Sequence, residues 1–245
     1  MDDTVDDSAS RGDGDLALPQ IRQAVIPTVA DQVFSALQQR ILTLELAPRT
    51  KLSEAEVARR MGVSRQPVRE AFKRLAQSGY LQIRPQSGTM VSLISEDAVL
   101  RARFIRTALE VQTCRHACET RTDHGVRALD ALIDQQRAAI RARDRDLFHT
   151  LDDRFHREIC VQAGVGFVWN LIHETKGHMD RIRMLSLDLT NQHLALDEHV
   201  ALLEAIKARD PDAASAAIER HLSRILVLID EVKKLDHRWF EGAGE

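Results

Sequence analysis

The stretch VSRQPVREAFKRL, Val63 to Leu75, decides how the rest of the chain is read. At helical spacing it has two faces. Arg65, Arg69 and Lys73 recur at i, i+4 and i+8 with Arg74 beside them, while Val68, Phe72 and Leu75 line the other side. Such a helix carries either a solvated basic surface or the footprint of a polyanion. Charge along the chain favours the second. Residues 1–27 hold six Asp against two Arg, a net of −4. Residues 28–95 hold ten Lys/Arg against five Asp/Glu, a net of +5, and the remainder holds 22 against 26, a net of −4. A basic block inside a chain of formal charge −3 is what a nucleic-acid-binding module looks like. The acidic head, rich in Gly and Ser, is expected to be a disordered tail.

The flanks of that stretch supply its frame. Upstream, Thr28 can cap a helix with apolar positions Val33, Leu37 and Ile41, broken at Ala47-Pro48. In LSEAEVARRM, Ser53 and Glu56 have capping-box spacing, and Leu52 with Val57 that of a hydrophobic staple. Gly62 suits a left-handed turn, Ser64 can cap the next helix, and Pro67 falls in its first turn. Gly79 ends that helix. YLQIRPQSGTMVSLI then reads as two short strands, with Leu81/Ile83 and Met90 or Val91 alternating around a turn at Arg84–Gly88. Two helices across a tight glycine turn, followed by a hairpin, predict a winged helix-turn-helix over residues 28–94. Its second helix would enter the major groove of double-stranded DNA. Arg65 and Arg69 could then meet guanine or phosphate, and Ser64 and Gln66 phosphate or an adenine edge, with Lys73 and Arg74 placed for backbone contact.

Beyond Ser95 the pattern is helical throughout, with segments expected at 95–121, 123–143, 144–163, 167–187 and 195–209. A last helix opened by Asp210-Pro211 runs to about Trp239. The fold class is therefore mainly α: the winged helix, then an all-α bundle over 95–240 and a short tail at 241–245. Polar residues interrupt the core-facing stripes at three places. Asp152 and His156 lie at i and i+4 on one helix. His199 falls within the row Leu196, Leu203, Ile206, and His221 within the seam Ala214, Ile218, Ile225, Leu228, Val232. Three imidazoles and a carboxylate from three helices could converge as ligands of a divalent transition metal. A lone core-facing His is more often a buried, hydrogen-bonded core residue, and that reading stands beside the metal one.

Composition narrows the class further. The chain is 44% hydrophobic and 4% aromatic, which suits helices, and no apolar run is long enough to span a bilayer. The acidic start is not a secretory signal. Cys114, Cys118 and Cys160 are odd in number and lack zinc-knuckle spacing, so free buried thiols in the cytoplasm are expected.

LSEAEVARRMGVSRQPVREAFKRLAQSGYLQIRPQSGTMV closely resembles the DNA-binding domain of GntR-family bacterial transcription regulators. The resemblance implies that Arg65 and Arg69 contact the operator and that Gly88 sits at the wing tip. It departs at Pro48-Arg49, where members often have Pro-Gly, and at Ser87, where many have Arg. Residues 96–240 resemble the FCD effector domain of the FadR subfamily, a bundle of six or seven helices. EHVALLEAIKARDPDAASAAIERHL is the most similar piece, whereas Ala163-Gly164-Val165 stands where Ala-Gly-Asn is usual. The resemblance implies a metal (zinc, nickel or manganese) on Asp152, His156, His199 and His221. It also implies a small carboxylate effector contacted by Arg106 of Arg106-x-x-Leu109-Glu110, with Arg181, Arg183 and His178 as further pocket residues. The function implied is a homodimeric, ligand-responsive repressor. Two alternatives stand beside it: a regulator whose pocket holds only an organic ligand, and a metal-dependent bundle enzyme. Against the enzyme, no Glu-x-x-His, HExxH, GxSxG or P-loop occurs.

Overall fold

In a computed structural model of the chain, the structure describes residues 27–84, 88–186 and 189–242. The acidic head through residue 26, Ser87 and the end of the C-terminal tail lie outside them. The first helix, α1 (Val29–Leu42), is capped reciprocally: Asp31 N–H donates to Thr28 Oγ1 at 3.1 Å and Thr28 N–H to Asp31 Oδ2 at 3.0 Å. It buries Val33, Leu37 and Ile41 against α2 (Glu54–Met61) and α3 (Arg65–Gln77). Gly62, at φ +67°, makes the left-handed turn between the last two. Tyr80, Leu81 and Val91 close this core.

Several local expectations need correction. Ser53 precedes α2 but its hydroxyl accepts no capping bond. Glu56 instead pairs with Arg59 and Arg60, at 2.7 and 2.5 Å, so the capping box is not formed. The hairpin of β2 (Leu81–Arg84) and β3 (Gly88–Val91) gains a third strand that the sequence did not suggest, β1 (Lys51–Leu52), and the order is β1-β3-β2. Leu81 and Val91 pair across the hairpin and are buried, whereas Ile83 is 49% exposed. The wing thus keeps only its base in the core. At Pro48-Arg49, Arg49 adopts φ +69°, a region glycine enters without steric cost.

The remaining helices are α4 (Glu96–Thr120), α5 (Asp123–Ala142), α6 (Arg145–Gln162), α7 (Phe167–Thr175), α8 (Gly177–Ser186), α9 (Leu189–Ala208) and α10 (Pro211–Asp236). Ser95, Thr122, Asp144 and Asp210 each cap the helix that follows by accepting a backbone N–H. The single helix expected over 167–187 is two, broken at Lys176. Helix α9 begins at Leu189, nearly two turns before the expected 195, in a stretch where Thr190, Asn191 and Gln192 interrupt the apolar period. The shared core joins Leu129, Phe148, Phe155, Leu203 and Ile218, and all three cysteines are buried free thiols. No described helix is long and apolar enough to cross a membrane.

Helix α8 packs against the winged helix. Gly177 abuts Tyr80 so closely that a Cβ there would overlap the tyrosine hydroxyl. His178 stacks on the Tyr80 ring at 6.0 Å and accepts the Ser95 N–H on Nδ1 at 3.2 Å. Burial, with Arg181 nearby, pushes the His178 pKa down to about 4. The unfolded chain therefore takes up a proton at this site, near its ordinary value of ~6.5, that the folded chain refuses. Stability from this residue is full above that value and is lost as pH falls toward 4. His178→Gln is expected to flatten the decline in urea midpoint between pH 7.5 and 5. An unchanged slope would show that His178 is not the group responsible.

Candidate metal centre and nucleic-acid interface

Four of the polar residues that interrupt the bundle's stripes meet at one point. Helix α6 supplies Asp152 and His156, α9 His199 and α10 His221, and a ligating atom from each lies within 4.8 Å of the others. Asp152 and His199 are fully buried and His156 is 2% exposed. The orientation of the rings follows from a surrounding layer of acceptors. His221 Nδ1 lies 2.9 Å from Glu198 Oε2, and His156 Nδ1 lies 2.7 Å from Glu110 Oε2. His199 Nδ1 lies 2.9 Å from Gln136 Oε1, which must accept because Gln136 Nε2 donates to the Leu151 carbonyl. Hydrogen bonds to Gln136 and Glu198 place the protons of His199 and His221 on Nδ1 and turn their Nε2 lone pairs to the common point; His156 Nδ1 lies close to Glu110 without hydrogen-bond alignment.

That arrangement asks for a cation. His156 Nε2 and His221 Nε2 are only 3.2 Å apart, and with the His156 proton on Nδ1, toward Glu110, the two lone pairs would face each other. His199 Nε2, at 3.4 Å from Asp152 Oδ1, has no hydrogen-bond partner. Burial pushes the His199 pKa well down and lowers that of His221, so both stay neutral as ligands must. Burial would raise the Asp152 pKa, but the Arg183 guanidinium beside it outweighs this and holds the group well below the usual carboxylate range. The donor set of three imidazole nitrogens and one carboxylate oxygen fits a divalent transition metal.

Of the arginines expected at the effector pocket, two are there. Arg106 and Arg183 line a cavity of about 40 Å³ with Met179, Asn191, His221 and Arg224. This is room for a few water molecules, so an organic acid enters only if a side chain swings aside. Arg106 Nε pairs with Glu110 Oε1 at 2.5 Å, and Arg183 Nη2 with Asp152 Oδ1 at 2.5 Å. Arg224, overlooked in the sequence, pairs with Glu198 at 3.2 Å. Arg181 and His178 are elsewhere. Arg181 donates to the Ser92 and Leu93 carbonyls, at 2.8 and 3.4 Å, away from the cavity. Glu110, Gln136 and Glu198 were the other omissions as supporting groups. Gln136 had a legible signal, a lone polar residue within the buried stripe Leu129, Leu132, Ile133, Ala139, Ile140.

On the winged helix, Ser64, Arg65, Gln66, Arg69 and Lys73 are all exposed along α3, with Ser64 at its N-cap. Among the described residues Arg65 has no ion-pair partner. Arg69 reaches Glu54 at 3.3 Å, and Gln66 Nε2 donates to Glu70 at 3.1 Å. Arg74, also exposed, pairs with Asp31 at 2.7 Å over the Phe34 ring. Gly88 opens β3 at φ +89°, beside the wing turn.

Comparison with known proteins finds a family model for each part of the chain. The family model described as bacterial regulatory proteins, gntR family, matches residues 29–91, and the FCD domain model matches residues 102–224. The chain is 37% identical to the HTH-type transcriptional repressor RspR of Escherichia coli, over 86% of this chain and 93% of that one. It is 29% identical to a probable D-xylose utilization operon transcriptional repressor of Paenarthrobacter nicotinovorans, over 81% and 88%. Among solved structures, E. coli McbR/YncC shares the fold at a TM-score of 0.71 and 20% identity, covering 84% of this chain and all of that one.

The buried Asp152–Arg183 pair makes a test of the site's electrostatics that needs no ligand. With metal chelated, Asp152→Asn should destabilise the protein by up to about 3–5 kcal/mol, because Arg183 loses its 2.5 Å partner and keeps only Asp180, at 3.9 Å. Asp152→Asn/Arg183→Met should recover part of that loss in urea unfolding. Equal losses in single and double variants would mean that the pair is not what the site depends on.

Proposed function

Because the chain belongs to the gntR family of bacterial regulatory proteins and carries an FCD domain, it is a DNA-binding transcription regulator. We propose that its helical part senses a small organic acid at a metal site and thereby alters DNA binding. The observation that carries the metal reading is the convergence of three imidazole Nε2 atoms and Asp152, each imidazole Nδ1 facing a separate oxygen. Residues 28–94 serve as the DNA-binding unit and 95–240 as the effector and dimerisation unit. Zinc, nickel and manganese all suit this ligand set, and a bound ion would supply a Lewis-acidic point for a carboxylate. The chain's own residues do the rest. Arg106 and Arg224 border the same cavity and offer charge-assisted bonds to an anionic ligand, and Glu110 and Glu198 hold His156 and His221 in ligating orientation.

At the other end, α3 presents Arg65 and Arg69 to the major groove, with Ser64 and Gln66 at its N-terminal edge and Lys73 toward phosphate. A homodimer would set two such helices on a pseudo-palindromic operator. Repression is the sign we propose, since the relatives above carry that description. A ligand that fits one placement of the DNA-binding units better than another shifts the balance by that difference in affinity.

Two measurements follow. On a duplex selected by this protein from a random library, Arg65→Ala and Arg69→Ala should each weaken binding by about 1–3 kcal/mol. Unchanged affinity in both would remove α3 as the reading helix. Wild-type protein is expected to retain about one divalent metal per chain after dialysis, and Glu198→Gln should lower zinc affinity by roughly 10–100-fold. No uptake on addition of zinc, nickel or manganese would leave the cluster as pocket polar groups only.

A further inference from the structure

Helix α8 touches both functional ends of the molecule through neighbouring residues. Arg183 reaches the cluster, with Nη2 at 2.5 Å from Asp152 Oδ1. Arg181, two residues earlier, grips the Ser92 and Leu93 carbonyls in the segment between β3 and α4. At its start, Gly177 and His178 bear on Tyr80. Tyr80 is itself tied to the DNA-reading helix and the wing: its N–H donates to the Leu75 carbonyl of α3 at 2.8 Å, and its carbonyl accepts Ser92 N–H at 2.9 Å. The route from cluster to recognition helix is one helix long.

Arg183 also has a second place to go. Its Nη1 lacks a hydrogen-bond partner and lies 3.9 Å from Asp180 Oδ1, which likewise lacks one. The other Asp180 oxygen is held by Lys176 at 2.5 Å, and the same ammonium reaches Asp153 at 2.9 Å. Lys176 is 1% exposed and supplies the cation for these two carboxylates. His149, Asp153 and Asp180 therefore do not form a second ion site despite their metal-like spacing. Of these, Asp180 is the anionic alternative for Arg183.

We infer that Arg183 is the positioning residue that reports occupancy of the cluster to the DNA-binding unit, exchanging Asp152 for Asp180 and so shifting α8 against Tyr80. This rests on the metal reading of Asp152, His156, His199 and His221. With Asp152 engaged by an ion, its hold on the guanidinium weakens, and Asp180 is the nearest unsatisfied carboxylate oxygen. Two arrangements of this element, biased differently by the cluster, are what coupling between the sites requires.

Tyr80 is the only tyrosine in the chain, so biosynthetic 3-fluorotyrosine labelling gives a single fluorine resonance at the joint. Zinc is titrated into the labelled, chelator-treated full chain, with bound zinc counted by elemental analysis after dialysis. The wild-type resonance is expected to shift by more than its linewidth and to saturate at one zinc per chain. In Arg183→Gln, zinc should still bind and the shift should be lost. Asp180→Asn, which leaves the Asp152–Arg183 pair intact and guards against a fold defect in the first variant, should reduce the shift at full zinc loading. A wild-type resonance that stays put with one zinc bound overturns the inference and leaves the metal site standing. Shifts of equal size in wild type and both variants overturn it too. Failure of the wild type to retain zinc overturns both readings together.

Discussion

A buried carboxylate costs several kcal/mol unless it is compensated, and Asp152 has no exposure at all. The bundle is organised around that constraint. Three histidines from three helices approach the same carboxylate, Arg183 comes in from a fourth, and Glu110, Gln136 and Glu198 fix which imidazole nitrogen faces inward. Without the outer layer the rings could present either nitrogen, and the site would be a set of core histidines. With it, the Nε2 atoms of His156 and His221 face each other at 3.2 Å, the geometry on which the proposed metal site rests.

Two further carboxylates meet the chain where α7 gives way to α8. Lys176 turns inward at the break to serve Asp153 and Asp180, and Gly177 then meets Tyr80 where a side chain would not fit. Asp152 and Asp153 are consecutive, so one turn of α6 feeds the ligand cluster on one side and the joint beneath the DNA-binding unit on the other. The tie is reinforced by Arg181 on the Ser92 and Leu93 carbonyls and by the backbone pairing of Ile94 with the chain's end at Trp239 and Glu241. An event at the cluster and the placement of α3 are thus separated by packed, charged contacts rather than by a linker.

How much of this was legible depended on the kind of interaction. Helices α4, α5, α6 and α10 were bounded well because each opens with a side chain that accepts a backbone N–H, a local signal. The i, i+4 pair Asp152/His156 was legible for the same reason. Convergence with His199 and His221 was a possibility from periodicity, and the family resemblance singled it out. What escaped was set by tertiary contact. Strand β1 exists because β3 is there to pair with it, and Ser53 loses its capping box because Glu56 has two arginines at hand. Arg181 and Arg183 look alike in sequence, yet their buried partners send one to a backbone carbonyl and the other to the cluster. Glu198 sits next to a ligand and was still missed, because its role lies with His221 on another helix.

The central claim is that these four side chains are a ligand set. X-ray absorption at the zinc edge, on protein loaded with one zinc per chain, tests it most directly. The account predicts a first shell of nitrogen and oxygen at about 2.0–2.2 Å with the multiple-scattering signature of three imidazoles. A first shell containing sulfur at about 2.3 Å, or one lacking imidazole scattering, would contradict it.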